Sequence, residues 1–253
     1  RRLLFLSPRP ATSDSEEPPL SGGGGVFTDW PRNPAFHFGA SGTLAAAILK
    51  GANCDLFCSA NMAHPQRLHA EGWGSAPQAF ATNRLAALFL KERGFRDDTV
   101  VEAMLDPATR IGMSTPGADP SGDYAVMLLD RLAPLAADAT TAPAARARIL
   151  SGGGEDIRVV SPLGRYGGIV VQGHADIMLA YETMCREACA RSKRLAYARF
   201  PPAFEVQAVY GATAGRDSDE TARDLMEFLL SSEGQARLTR FGFGPPPKAD
   251  KDI

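Results

Sequence analysis

From Ala35 to about Phe243 the chain alternates between two textures. One is a short, nearly continuous apolar run. The other is a longer stretch in which apolar residues recur three or four positions apart. The first predicts buried strands and the second helices with one apolar face. Expected strands are AFHF (35–38), CDLFCSA (54–60), RLAALFL (84–90), RIGM (110–113), DIRVV (156–160), DIMLAY (176–181), RLAYARF (194–200) and EVQAVYGA (205–212). Between them the helical spacing predicts TLAAAILKGA, ended by Gly51, and PQRLHAEG, with Pro65 in its first turn and Gly72 after its end. TVVEAML follows, with Thr99 and Glu102 at capping-box spacing. SGDYAVMLLDRLAPL places Tyr124, Met127, Leu128, Leu132 and Leu135 on one face. RYGGIVVQG, TMCREACARS and a helix pair over 218–243, capped by Asp217 or Ser218, complete the set.

Outside this region the pattern is weak. LLFL can form one strand, but residues 8–34 mix Pro, Gly, Ser and acids and predict irregular chain. GPPPKADKDI, from Gly244 onward, reads as a tail. Strands alternating with helices call for βαβ units and parallel sheet, an α/β fold. In such sheets ligands bind beyond the carboxyl ends of the strands, where backbone N–H groups open the following helices. Three strand-to-helix junctions are built of small and hydroxylic residues: FGASGTL (38–44), STPGADPSGDY (114–124) and SPLGRYGG (161–168). Small residues let backbone approach a ligand, and hydroxyls with free first-turn amides are donors for an anion.

Composition narrows the classes. The 253 residues are 44% hydrophobic with a formal net charge of −2, and basic residues do not interleave with aromatics, so nucleic acid is not an expected partner. No apolar run approaches the ~20 residues of a membrane helix. RRLLFLSPRP has too few apolar residues for a signal-peptide core of about 7–15, so an exported protein of this kind would carry its signal upstream of Arg1. Cys54 and Cys58, and Cys185 and Cys189, form two Cys-x3-Cys pairs. They lie in an apolar strand and on a helix rather than in zinc knuckles, which favours free thiols; a 185–189 disulfide would strain its helix. No metal or cofactor site is expected from them.

The residues at these junctions, in order, resemble the molybdate-binding component of ABC importers, within the type II periplasmic binding proteins. FGASGTLAAAILKGANCDLFCSAN, DPSGDYA, GHADIMLAY and LMEFLLSSEGQARLTRFGF carry the resemblance over about residues 36–243. It implies a two-lobed α/β architecture, each lobe a mostly parallel sheet flanked by helices, with the ligand in a cleft between lobes. Lobe one would comprise residues 1–80 plus 212–253 and lobe two residues 81–211. The implied ligand contacts are the hydroxyl and amide of Ser41, the amide of Ser121, the amide near Leu163 and the hydroxyl of Tyr181. The family's first strand ends in a serine that is also a ligand. Here Ser7 is the nearby candidate, but Pro8 removes a donor where the family offers one, and no helix follows. The resemblance further implies a monomer in the periplasm or outside the cytoplasm. Its partners would be a small oxyanion, molybdate or tungstate, and an ABC transporter permease.

Neutral donors suit such a ligand. Each charge-assisted hydrogen bond to a tetrahedral dianion is worth roughly 1.5–3 kcal/mol, and helix N-termini add positive potential without burying a cation. An enzyme is not expected. The chain lacks a Gly-x-Ser-x-Gly elbow, a phosphate-loop lysine and a His-Glu-x-x-His motif, and its four histidines, His37, His64, His69 and His174, are scattered. The alternative is an intracellular oxyanion or small-ligand sensor of the same fold.

Overall fold

The computed structural model describes residues 2–5, 35–152, 159, 161–218 and 220–248. Ser7 and the strand expected at DIRVV fall outside these, apart from Val159. The chain divides into two compact units: residues 1–83 with 208–253, and residues 84–207.

In the first unit, β1 (Arg2–Phe5) lies parallel to β2 (Ala35–Phe38) and to β3 (Leu56–Ser59). Helices α1 (Ser41–Leu49) and α2 (Ala63–Ala70) cover the sheet through Ala45, Ile48, Phe57 and Leu68, with Trp73 packed alongside. All four strand positions of β3 are buried, which explains its unbroken apolar run. A long strand, β4 (Gln78–Leu90), then carries the chain into the second unit.

The second unit continues with α3 (Val100–Leu105), β5 (Ile111–Ser114), α4 (Pro120–Leu132), α5 (Pro143–Arg146), β6 (Arg148–Ser151), α6 (Gly164–Val171), β7 (Ile177–Tyr181), α7 (Glu182–Arg191) and β8 (Leu195–Arg199). β5 pairs in parallel with β6 and β7, whereas β4 pairs antiparallel with β7 and β8. Helices cover both faces of this mixed sheet, and strand periodicity sorts the core. Leu85, Ala87, Phe89, Ile177 and Leu179 face α3 and α4, packing on Met104, Leu128 and Leu132. Ala86, Leu88, Met178 and Ala180 face α6 and α7, packing on Ile169, Val170, Cys185 and Ala188. Each fully buried aliphatic side chain contributes about 1.5–3 kcal/mol of transfer free energy.

The chain returns to the first unit along β9 (Gln207–Ala214), antiparallel to β3, and ends in α8 (Glu220–Leu230) and α9 (Ser232–Arg240). Tyr210 sits edge-on to Phe80 and Phe243, and the Gln235 amide donates to the carbonyls of Phe80 (2.8 Å) and Leu229 (2.7 Å).

Several local expectations change. The buried stripe of α4 is Ala125, Leu128, Leu129 and Leu132, while Met127 and Leu135 are 45% and 50% exposed. The Thr99 hydroxyl accepts from Arg96 N (3.0 Å) and makes no cap bond to α3. β6 was not expected. The tail is tied down at its start, where Gly244 exchanges backbone bonds with Thr82 (2.8 and 2.9 Å) and the Thr82 hydroxyl donates to the Pro245 carbonyl (2.9 Å). Position 219, which precedes the first residue of α8, is outside the described residues. All four cysteines are free thiols; Cys58 and Cys185 are buried, and burial pushes both thiols well above their ordinary range. No described helix is long and apolar enough to cross a membrane.

Candidate functional site

In the first unit the strand β2 exits through Gly39 and Ala40 into α1. Ala40 holds an extended conformation at the N-cap, φ −63° and ψ 131°, and its methyl offers no acceptor, so no side chain caps the helix. Ser41, 1% exposed, stands in the first turn, and its hydroxyl accepts a long bond from Ala60 N (3.4 Å) at the exit of β3. The buried Ser59 closes β3, with its hydroxyl donating to Asn61 Oδ1 (2.9 Å), and that oxygen also accepts from His64 N (3.1 Å). The carboxyl ends of β2 and β3 therefore place two serines and an uncapped helix start together. Ser59 lies in the quoted CDLFCSAN stretch but was not singled out; a hydroxyl ending a buried apolar strand was the available signal.

In the second unit the parallel strands β5, β6 and β7 end at Ser114, Ser151 and Tyr181 on one edge. Asp119 caps α4: its Oδ1 accepts from Ser121 N (3.0 Å), and its Oδ2 accepts from the Ser114 hydroxyl (2.6 Å). Pro120 at the first helical position loses nothing, since its missing N–H would have been unpaired. Ser114 also donates to the Ser151 carbonyl (3.1 Å), as does Thr115 Oγ1 (2.9 Å). Two glycines permit this crowding. A Cβ on Gly152, at φ +83°, would stand 2.1 Å from Ser114 Oγ, and one on Gly122 would stand 2.5 Å from the Thr115 carbonyl carbon.

Tyr166, 3% exposed, points from α6 into this cluster. Burial pushes its ionisation up, and the Asp119 carboxylate adds to this. The Ser121 hydroxyl is buried without a hydrogen-bond partner among the described residues. Tyr124, one turn along α4, meets the Tyr181 ring edge-on at 6.3 Å. Tyr181 is 2% exposed, with its hydroxyl fully buried. Next to it, Glu182 is anchored by Arg186 (2.7 Å), Arg199 (2.6 Å) and Tyr197 (3.3 Å). Burial alone would raise the Glu182 pKa, but the arginine hydrogen bonds outweigh it and hold the carboxyl below its usual range. This network fixes the β7–α7 junction that presents Tyr181.

Ser121 and Tyr181 thus stand at the strand-end edge of the second unit, Leu163 is the N-cap of α6, and Ser41 stands in the first unit. Two backbone donors implied by the resemblance are engaged within their own loops. The Ser121 amide serves Asp119, and the Leu163 amide donates to Ser161 Oγ (3.2 Å). Asp119, Ser114, Ser151 and Tyr166 were missed. An Asp-Pro pair opening a helix was a readable cap signal; the role of Tyr166 depends on where α6 lies against β5 and β6.

Two α/β units joined by β4 and β9, with hydroxyl-rich helix starts at the strand ends, define a type II solute-binding protein fold. The chain belongs to the bacterial extracellular solute-binding protein family, which matches residues 34–244. An uncharacterized protein of Pasteurella multocida (strain Pm70) is 28% identical over 209 residues, covering 82% of this chain and 86% of that protein. Among solved structures, the periplasmic molybdate-binding protein of Azotobacter vinelandii aligns with a TM-score of 0.68 at 21% identity, over 88% of this chain and 92% of that one. The sulfate-binding protein SubI of Mycobacterium tuberculosis aligns with a TM-score of 0.68 at 14% identity, over 84% and 76%. Iron-bound HitA of Pseudomonas aeruginosa gives 0.62 at 15%, over 90% and 83%.

Proposed function

We propose that this solute-binding protein holds a tetrahedral oxyanion, molybdate or tungstate, by neutral hydrogen-bond donors, and delivers it outside the cytoplasm to an ABC permease. The observation that carries this reading is the start of α1, where no side chain caps the helix and the buried Ser41 hydroxyl stands at its first turn. Uncapped first-turn amides carry positive partial charge and accept an anion without a buried cation. Molybdate- and sulfate-binding proteins among the structural neighbours support the ligand class. In the second unit the donors are hydroxyls, those of Tyr181 and Ser121, because Asp119 and Ser161 occupy the nearby amides. The binding event is reversible and breaks no bond, in keeping with a carrier rather than an enzyme.

Titration calorimetry with molybdate, tungstate, sulfate and phosphate tests the reading. Molybdate or tungstate is expected to bind most tightly. Ser41→Ala is expected to lose roughly 10- to 150-fold in affinity, the value of one charge-assisted hydrogen bond, with an unchanged melting profile. Equal affinity of wild type and Ser41→Ala would reject the site, and heat only with sulfate or phosphate would reassign the ligand.

A further inference from the structure

The first unit carries a recess of about 450 Å³ at the opposite end of β3 from Ser41. It opens at the end of β9, beside α8. Ala214 on its wall pairs with Leu56, the first residue of β3, whereas Ser59, near Ser41, pairs with Gly211. Three residue steps at about 3.3 Å separate the two ends of β3 by about 10 Å.

The lining carries charge with no internal partner. Arg216 and Arg223 both face the recess, and among the described residues neither guanidinium forms an ion pair. Arg223 and Glu227 are one helical turn apart on α8 without pairing. With Glu227 on the C-terminal side this is the weaker order for such a pair. Ser218 is 8% exposed, and its hydroxyl is buried with no hydrogen-bond partner among the described residues. A buried hydroxyl left unsatisfied costs free energy that a ligand acceptor would recover. Met226 and Leu230 supply an apolar wall, and Leu230 remains 38% exposed.

The geometry points to a second binding site here, for a small monocarboxylate with a short branched apolar body. Its carboxylate meets Arg216 and Arg223, whose planar forks match carboxylate geometry, and accepts from the Ser218 hydroxyl. Its body lies on Met226 and Leu230. Two arginines against one glutamate leave a single positive charge for a monoanion to neutralise. The volume falls within the range of small-molecule sites. This site is independent of the oxyanion reading.

The test is an amide-resolved NMR titration of the full chain with 4-methylpentanoate, using 4-methylpentan-1-ol as the uncharged control. Saturable shifts at Arg216, Ser218, Arg223 and Met226 are expected, with a dissociation constant below about 10 mM, equivalent to a few kcal/mol. Arg223→Gln and Arg216→Gln are expected to weaken binding at least tenfold each, while molybdate titrations of both variants match wild type. The alcohol is expected to give no saturable shift. The site is overturned by shifts that do not saturate, by shifts centred on Ser41, or by unchanged affinity in both variants. Equal binding of the alcohol would overturn the anion assignment.

Discussion

The starts of α1 and α4 share a sequence texture, yet they are chemically opposite. Both follow strands through small residues, and both bury a serine in the first turn, Ser41 at 1% exposure and Ser121 at 0%. At α1 the N-cap is Ala40, so the first-turn amides meet no side chain. At α4 the N-cap is Asp119, whose carboxylate takes the Ser121 amide and the Ser114 hydroxyl. A helix N-terminus attracts anions only while its amides are vacant; a carboxylate of the chain's own satisfies them and adds a negative charge. The N-cap residue, one position before Ser41 and two before Ser121, decides which kind of mouth is made.

The sharpest way to break the contrast is to convert one mouth into the other. Ala40 already has the extended backbone that an N-cap requires, so Ala40→Asp should cap α1 without strain. Two like charges about 4 Å apart near a protein surface repel by about 4 kcal/mol. Calorimetry should show oxyanion affinity falling by more than about 100-fold, with stability equal or higher by about 0.5–1 kcal/mol. Retained affinity would show that the anion lies elsewhere.

The reverse change bears on stability. Asp119→Ala removes the α4 cap and the acceptor of the buried Ser114 hydroxyl, a loss of about 2 kcal/mol. For a chain of this size that is a fall in melting temperature of roughly 4–8 °C. A fall below 1 °C would mean that the carboxylate is not holding the mouth shut.

A smaller effect is expected at Tyr181. Tyr181→Phe keeps the edge contact with Tyr124 and removes only the hydroxyl. About a tenfold loss of oxyanion affinity, roughly 1.4 kcal/mol, is expected. Unchanged affinity would leave Tyr181 as a packing residue and Ser121 as the second unit's proposed donor.

The smallest effect concerns acid stability, away from both mouths. Asp176 accepts from the Arg110 amide and guanidinium at 2.9 Å. Hydrogen bonds from Arg110, partly opposed by burial, hold its carboxyl below the usual value of 3.8. With the folded-state pKa depressed, this stabilisation is complete above the unfolded value and is lost as pH falls through the folded one. Chemical denaturation at pH 7 should find Asp176→Asn less stable by up to about 1 kcal/mol, as for solvent-accessible pairs. The difference should shrink as pH falls below 3.8 toward the depressed folded-state pKa, and a constant difference across that range would assign the effect to packing.

Much of the architecture was legible because buried strands and amphipathic helices impose different periods. β7 lies within its expected run, β9 overlaps its run but extends two residues further to Ala214, and α7 coincides closely with its expected stretch. β4 shows its buried character in RLAALFL but extends back to Gln78. β6 escaped notice because it is four residues long and its first two, Arg148 and Ile149, are exposed, leaving no alternation to read. The α4 stripe was placed on partly wrong residues because Met127 and Leu135 fit a three-to-four spacing while Ala125, a small residue, gave little signal.

The sequence by itself determined the α/β texture, the strand-to-helix junctions and the residues that could line them, since these follow from local periodicity and small-residue chemistry. It also held the Asp-Pro cap signal at Asp119, which is local. Only the tertiary structure decided which donors remain vacant. Tyr166 is buried beside the Asp119 carboxylate because α6 packs on Leu150 of β6, and Glu182 fixes the Tyr181 junction through Arg199 on β8. These contacts join residues distant in the chain, and their availability depends on what each buried polar group finds as a partner, which no spacing along the chain encodes.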